Sequence, residues 1–454
     1  MQSARQVGIR TTLILLIVAL IGFQQFPVIR IGGSFKVYEL LAIALFLLAF
    51  YDGSIFRQKE LYSLIFFVAA PMISFSFFWI GWRHNIHGYY DIYGNRGDFR
   101  YSYEAATAVP LLYFALCWIS FTEISKSLWL YENKKRVIKS IVWMGHIVGW
   151  YAICASVLNG IFHVPTPVQI LPSWLQNVGK MTYGLRASGF SQEPSFYVLY
   201  QGWVLLFTYH FRRYFGKALG RYLIAFSTIC LLITFSSALV GFFIAALISS
   251  QWGKGMISRA RSLFVLVLAA AICLMVVIYF GLGDVVQYAF VNKIGNFFAV
   301  PDTTLDSGEF RAYTAALGLE IFKDYPISGV GPGASIFFMH AYEYKIPIRV
   351  FGETLGPGSF PQNSYVSVMS DLGAVGFISM MLLFLYIFRI ILKAKRIDPD
   401  ISPFFTGTLF TMAALLSVAP AYSMFIWVFP ALGVCFARRR IQIERSLQLL
   451  RNSK

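Results

Sequence analysis

Residues 364–396 read SYVSVMSDLGAVGFISMMLLFLYIFRIILKAKR. A small polar opening from Ser364 to Asp371 gives way to an apolar run broken only by Ser379. The run ends at Arg389, Lys393, Lys395 and Arg396. A bilayer core about 30 Å thick is crossed by about 20 helical residues at 1.5 Å each. Within lipid a backbone must satisfy its own polar groups, which selects a helix. Basic residues gather at the cytoplasmic end of such a helix. The stretch therefore predicts a transmembrane helix whose polar start faces outward and whose basic end faces the cytoplasm.

The rest of the chain repeats this pattern. Of 454 residues, 57% are hydrophobic and 13% charged, against about 25% charged in a soluble domain. Twelve candidate spans are read at 9–26, 36–51, 61–81, 104–122, 139–162, 196–211, 222–236, 238–251, 262–281, 364–392, 403–419 and 421–437. The stretch 222–251 is too long for one span and short for two. Ser236, Ser237 and Gly241 mark the break, giving two short helices with a tight outer turn. The expected fold is all-α: one polytopic integral membrane domain over 1–454. Arg5 and Arg10 followed by an apolar run resemble a signal peptide. No small-x-small cleavage site follows, so Gln24 to Pro27 reads as the outer end of a first span.

The formal charge of +17 first suggests a nucleic-acid partner. With the N-terminus inside and the spans alternating, most of the 38 basic residues fall in short cytoplasmic segments, as the positive-inside rule requires. The charge is thereby explained without nucleic acid. Both termini are expected in the cytoplasm. Three long loops, 82–103, 163–195 and 282–363, are expected outside, the last and largest between spans nine and ten. No Gly-rich loop followed by Lys-Ser/Thr is present, which argues against ATP-driven work. Cys117, Cys154, Cys230, Cys273 and Cys435 each lie in an apolar run and read as packing residues. His84 and His87 lack a third ligand nearby, and no metal or cofactor is expected. Arg83, Arg96 and Arg100 with Tyr89, Tyr90, Tyr93 and Tyr101 suit either glycan contact or an interfacial belt.

Three external segments could carry chemistry. Tyr183–Tyr197, YGLRASGFSQEPSFY, holds Arg186 and Glu193 seven residues apart, just before a span. Glu193 there is either a helix cap favoured by the dipole or a functional carboxylate, and Arg186 either a solvated loop residue or a ligand group. Asp306–Gly333, DSGEFRAYTAALGLEIFKDYPISGVGPG, opens an amphipathic helix at Arg311 and ends in glycines. Its last turn is either a plain loop or a nest of backbone N–H groups for an anion. Phe360–Gly376, FPQNSYVSVMSDLGAVG, puts Gln362, Asn363, Ser364 and Tyr365 at a span entrance, where Asn363 or Ser364 could equally cap the helix.

RASGFSQEPS, YPISGVGPG and QNSYVSVMSDLGAVG, in this order between apolar spans, resemble the O-antigen polymerase and O-antigen ligase superfamily of bacterial surface polysaccharide assembly. The resemblance implies a metal-independent inverting glycosyltransferase of the C-type membrane fold in the bacterial inner membrane. Its substrates would be glycans linked to undecaprenyl pyrophosphate, and it leaves open a chain-length regulator protein as a partner. The family's two external arginines correspond to Arg186 and Arg311. The ligases carry a catalytic His where this chain has Gln362, so the expected activity is polymerisation, with Glu193 substituting as base. Ligation to lipid A-core is the alternative within the class. Gln192, Gly331, Gly333, Gln362, Asn363 and Tyr365 complete the expected site as substrate-binding residues. A lipid-linked oligosaccharide flippase is the rival from another class. It should carry charge inside its spans along a central path, whereas here charge concentrates in loops.

Overall fold

The computed structural model describes residues 4–30, 34–54, 60–77, 103–173, 175–176, 186–191, 193–234, 236, 238–251, 307–346, 360–418 and 420–452. Helices dominate these residues. The departure from an all-α chain is a small antiparallel pair, β1 (Val28–Arg30) and β2 (Ser34–Lys36). Residues 78–102, 177–185, 252–306 (which hold the candidate span 262–281) and 347–359 lie outside the described residues, and with them His84 and His87; so does Gln192.

Along the chain come α1 (Ala4–Leu20), α2 (Val37–Tyr51), α3 (Leu61–Phe77, with a π turn at Ile65–Ala69), α4 (Tyr103–Lys126) and α5 (Lys134–Gly160). Then follow α6 (Pro194–His210), α7 (Lys217–Leu232), α8 (Ala238–Gln251), α9 (Ser307–Asp324), α10 (Ser335–Tyr342), α11 (Ser364–Lys395), α12 (Ser402–Ala414) and α13 (Met424–Asn452). Among the described residues, stretches in three helices, α4, α5 and α11, are long and apolar enough to cross a membrane by themselves. Shorter apolar stretches occupy Gly8–Leu20, Val37–Tyr51, Leu61–Phe77 and Ala238–Ser250. The predicted break in 222–251 is present, between Leu232 and Ala238. Gly241 is not in it. It sits inside α8, where a side chain would press on Ala413 of α12, so its role is close helix packing.

α13 is the axis of the bundle. Every residue from Met424 to Ala437 is buried, and the helix packs on α4, α11 and α12. A helix apolar on all sides has to be surrounded, which is why Trp427, Phe429 and Phe436 meet rings from α3, α6, α11 and α12. The predicted span stopped at 437, whereas the helix continues to Asn452, past the lipid-like region and into an exposed, arginine-bearing extension.

Side-chain contacts show that the bundle has two chemically different ends. Arg10 meets Asp52 (2.8 Å) and Glu123 (3.4 Å), Arg438 grips Glu60 and Tyr386, and Lys134 meets Asp400 (3.0 Å). These residues begin α1, α3 and α5 and end α2, α4 and the buried part of α13. At the opposite end lie Glu39, Tyr113, Glu193, Arg311, Gln362 and Asp371. The helices thus alternate in direction, as the charge pattern requires. The buried carboxylates Glu39, Glu60, Glu123 and Asp371 all stand within two turns of a helix end.

Candidate active site

Pro194 starts α6 with its ring at the first helical position, where the missing N–H costs nothing; Glu193 precedes it as the N-cap residue. Its carboxylate does not cap the helix. It accepts a hydrogen bond from Arg311 Nη2 at 2.7 Å and one from Ser195 Oγ at 3.2 Å. Arg311 lies in the second turn of α9 and also donates from Nε to Gln362 Oε1 at 3.3 Å. Gln362 is itself fixed, because its backbone N–H donates to Thr314 Oγ1 at 3.3 Å. Three stretches far apart in sequence therefore meet on one guanidinium. Arg311 keeps 16% of its side-chain surface exposed and Glu193 26%, so an incoming ligand can reach both.

Arg186 is held elsewhere, at the α7–α8 break. Its Nε donates to the Thr234 carbonyl at 3.3 Å, and the neighbouring Ala187 N–H donates to Ile233 at 3.0 Å. The break between two short helices leaves carbonyls without a helical partner, and the Arg186 segment supplies the donors. Gly189 turns this segment with a φ of 57°.

The glycine-rich stretch after α9 docks on α11 in an unusual way. Gly373 inside α11 has φ 65° and ψ −161°, which breaks the helix. Beyond it, the N–H groups of Ala374 and Val375 would ordinarily bond to Ser370 and Asp371 four residues back. They instead donate to Pro326 (2.8 Å) and Ile327 (3.2 Å), while Val330 and Gly331 donate to the vacated carbonyls of Ser370 (2.9 Å) and Asp371 (3.0 Å). The loop is spliced into the helix's own hydrogen-bond ladder. Such contact leaves no room for side chains: a Cβ on Gly329 would run into the Asp371 peptide, and one on Gly373 into the Ile327 carbonyl. The Asp371 carboxylate completes the joint by accepting from Ser335 N–H at the start of α10 (3.0 Å) and from Ser367 Oγ (3.3 Å).

These contacts decide the readings that the sequence left open. Gly331 has a φ of 109° and Gly333 one of 68°. The Gly331 N–H is engaged with α11 rather than turned outward as part of a nest. Asn363 caps α11 through Oδ1, which accepts from Tyr365 N–H (3.0 Å) and Val366 N–H (3.3 Å). Tyr365 donates its hydroxyl to the Met412 carbonyl at 2.7 Å, and so fastens α11 to α12. Gln192 lies outside the described residues. Sequence reading missed Ser195 and Thr314. Thr314 was findable, because three residues beyond Arg311 it shares its helical face; Ser195 gave no signal.

α9 and α10 form a small core of their own with Leu317, Ile321, Val330, Phe337 and Phe338. Hydrogen bonds from Lys345 and Tyr342 hold the Asp324 carboxyl below its ordinary range and close this unit at its far edge. Among the described residues no three His, Cys, Asp or Glu side chains stand together as a metal site, and Cys117, Cys154, Cys230 and Cys435 are free thiols.

A family model described as O-antigen ligase matches residues 222–381. That span contains most of α7, all of α8 to α10, the spliced loop, the kink of α11 and Arg311, Gln362 and Asp371; Arg186 and Glu193 precede it. The match agrees with the resemblance to the O-antigen polymerase and ligase superfamily. It indicates a membrane protein that handles surface glycans in the manner of these polymerases and ligases. No curated protein matches the chain.

Proposed function

We propose that the chain is a polysaccharide polymerase that moves a growing glycan from undecaprenyl pyrophosphate onto a lipid-linked repeat unit at the periplasmic face of the bacterial inner membrane. The observation that supports this reading is the Arg311–Glu193–Gln362 cluster. It joins a fixed guanidinium to a reachable carboxylate at the bundle end opposite the basic one. In the reaction, an acceptor hydroxyl oxygen forms a bond to the anomeric carbon while the bond to the pyrophosphate oxygen breaks. The carrier pyrophosphate leaves with the electron pair, and Arg311 balances its charge with planar donors. The hydroxyl proton passes to Glu193 as general base. The Arg311–Glu193 pair orders these events. An arriving pyrophosphate competes for Arg311 and frees the carboxylate at the moment a base is required, while Gln362 keeps the guanidinium in place.

Ligation to lipid A-core is the second reading, favoured by the description of the matching family model. Purified protein incubated with synthetic lipid-linked repeat units separates the two. A ladder of products from repeat units alone supports the polymerase. Product that appears only after lipid A-core is added replaces it with the ligase, and no transfer to either acceptor rejects both.

A further inference from the structure

A transferase that joins two glycans needs to hold a saccharide as well as a pyrophosphate, and the end of the bundle that carries Arg311 has a second cluster suited to that. Glu39 in the first turn of α2 is buried, and its Oε2 accepts from the Lys36 backbone N–H (2.9 Å) and the Tyr113 hydroxyl (3.3 Å). Its Oε1 accepts from Lys36 Nζ at 2.6 Å. An ammonium has three donors, and this one spends a single donor on Glu39 among the described residues. Lys36 keeps 23% of its side-chain surface exposed. Its charge lies 5.6 Å from the centre of the Tyr113 ring, and Tyr113 stacks on Tyr422 at 6.2 Å and 24°. Both tyrosines are half-buried.

The cluster is joined to the arginine site. Ser364, two residues after Gln362, donates its N–H to Leu415 (2.9 Å) and its hydroxyl to Val418. The same connection runs on to Tyr422, whose carbonyl accepts from Cys117 of α4. We infer that Lys36, Tyr113 and Tyr422 form a saccharide-binding subsite for the glycan of one of the two substrates, the tyrosine faces taking the apolar side of a sugar ring and Lys36 donating to its hydroxyls. Sites of this kind combine an apolar aromatic platform with a few fixed polar groups, and Glu39 fixes the Lys36 ammonium. This inference rests on the polymerase or ligase reading for its ligand class.

The test is direct binding, independent of turnover. The probe is the lipid-free oligosaccharide repeat released by mild acid from the producing cell's lipid-linked pool, titrated against full-length protein in nanodiscs. Wild type and Arg311→Ala are expected to bind it equally, and Lys36→Gln and Tyr422→Leu at least 10-fold more weakly. Lys36→Gln leaves Glu39 without its cation, so Tyr422→Leu, which keeps that pair, carries the result if the first variant melts early. Unchanged binding by Tyr422→Leu, or no binding by wild type, overturns the subsite. Inorganic pyrophosphate displacing the saccharide in Arg311→Ala would also overturn it, by making Lys36 an anion site. A failure of Arg311→Ala to impair transfer would instead count against the catalytic reading, with the saccharide result standing on its own.

Discussion

The two ends of the bundle use ion pairs for different purposes. At the basic end, Arg438 grips Glu60, Arg10 meets Asp52 and Glu123, and Lys134 shares Asp400 with Arg213. Arg10–Asp52, for example, joins α1 and α2, which already pack along their lengths, so opening that pair would gain no new freedom. At the other end, Arg311 and Glu193 stand 118 residues apart in sequence. One belongs to the α6 entrance, the other to a helix that has its own small core. That pair bridges the α6 entrance and α9, with part of both side chains exposed. A charge pair is a lock where its neighbours are already fixed, and a site where one partner can be exchanged for a ligand.

The comparison breaks most sharply at the splice. Gly373→Ala puts a Cβ into the Ile327 carbonyl at a left-handed φ. Backbone strain of this kind costs about 1–3 kcal/mol before any clash. The expected result is loss of all transfer with a lowered melting temperature, read by a product gel and a thermal melt. Normal transfer by this variant would mean that the joint between α9 and α11 does not set the site. Next comes Arg311→Ala, expected to lower transfer by about 10²–10³-fold, the range for removing one charge-stabilising donor, with melting unchanged. Lys at this position should restore little, because a point charge lacks the planar fork that holds Glu193 and Gln362 together. A wild-type rate from Arg311→Ala would remove the residue from the chemistry.

Glu193→Gln sharpens the contrast. As base, Glu193 contributes about 10²-fold or more, and the glutamine can still accept from Arg311, so the fold should hold. Initial rates across pH decide the matter. A rate within about threefold of wild type with the same profile leaves Glu193 as a tether for Arg311 and nothing more. The smallest effect belongs to the basic end. Arg213 keeps 61% of its side-chain surface exposed, and pairs this open contribute under about 1 kcal/mol. Arg213→Ala should melt within a few degrees of wild type and transfer at the same rate. A large loss of activity there would show that the two ends are coupled rather than separate.

Much of this was legible in the sequence. Helices were readable because lipid forces each segment to satisfy its own backbone, so apolar length alone marks them. The alternation of α1 to α8 followed from where Arg10, Arg57, Lys134 and Arg213 fall. The break in 222–251 showed as serines in an apolar run. Arg186, Glu193 and Gln362 stood out as polar residues at span entrances, and Arg311 as the opening of an amphipathic stretch in the largest external loop. What could not be read was partnership. Glu193 beside a helix start could be a cap or a functional carboxylate, and its pairing with Arg311 depends on two segments meeting across 118 residues.

Composition and spacing by themselves determined that the chain is a membrane protein of apolar helices with basic residues gathered at one end and the candidate site segments at the other, because burial in lipid is a local demand met residue by residue. Only the tertiary structure decided that the glycines at 329 and 373 are a splice between a loop and a helix, with the Gly331 N–H spent inside that joint rather than left for an anion. It also decided that Asn363 caps α11 while Gln362, one residue earlier, holds an arginine. Hydrogen bonds between distant backbones depend on where two segments come to lie, and no local pattern encodes that distance.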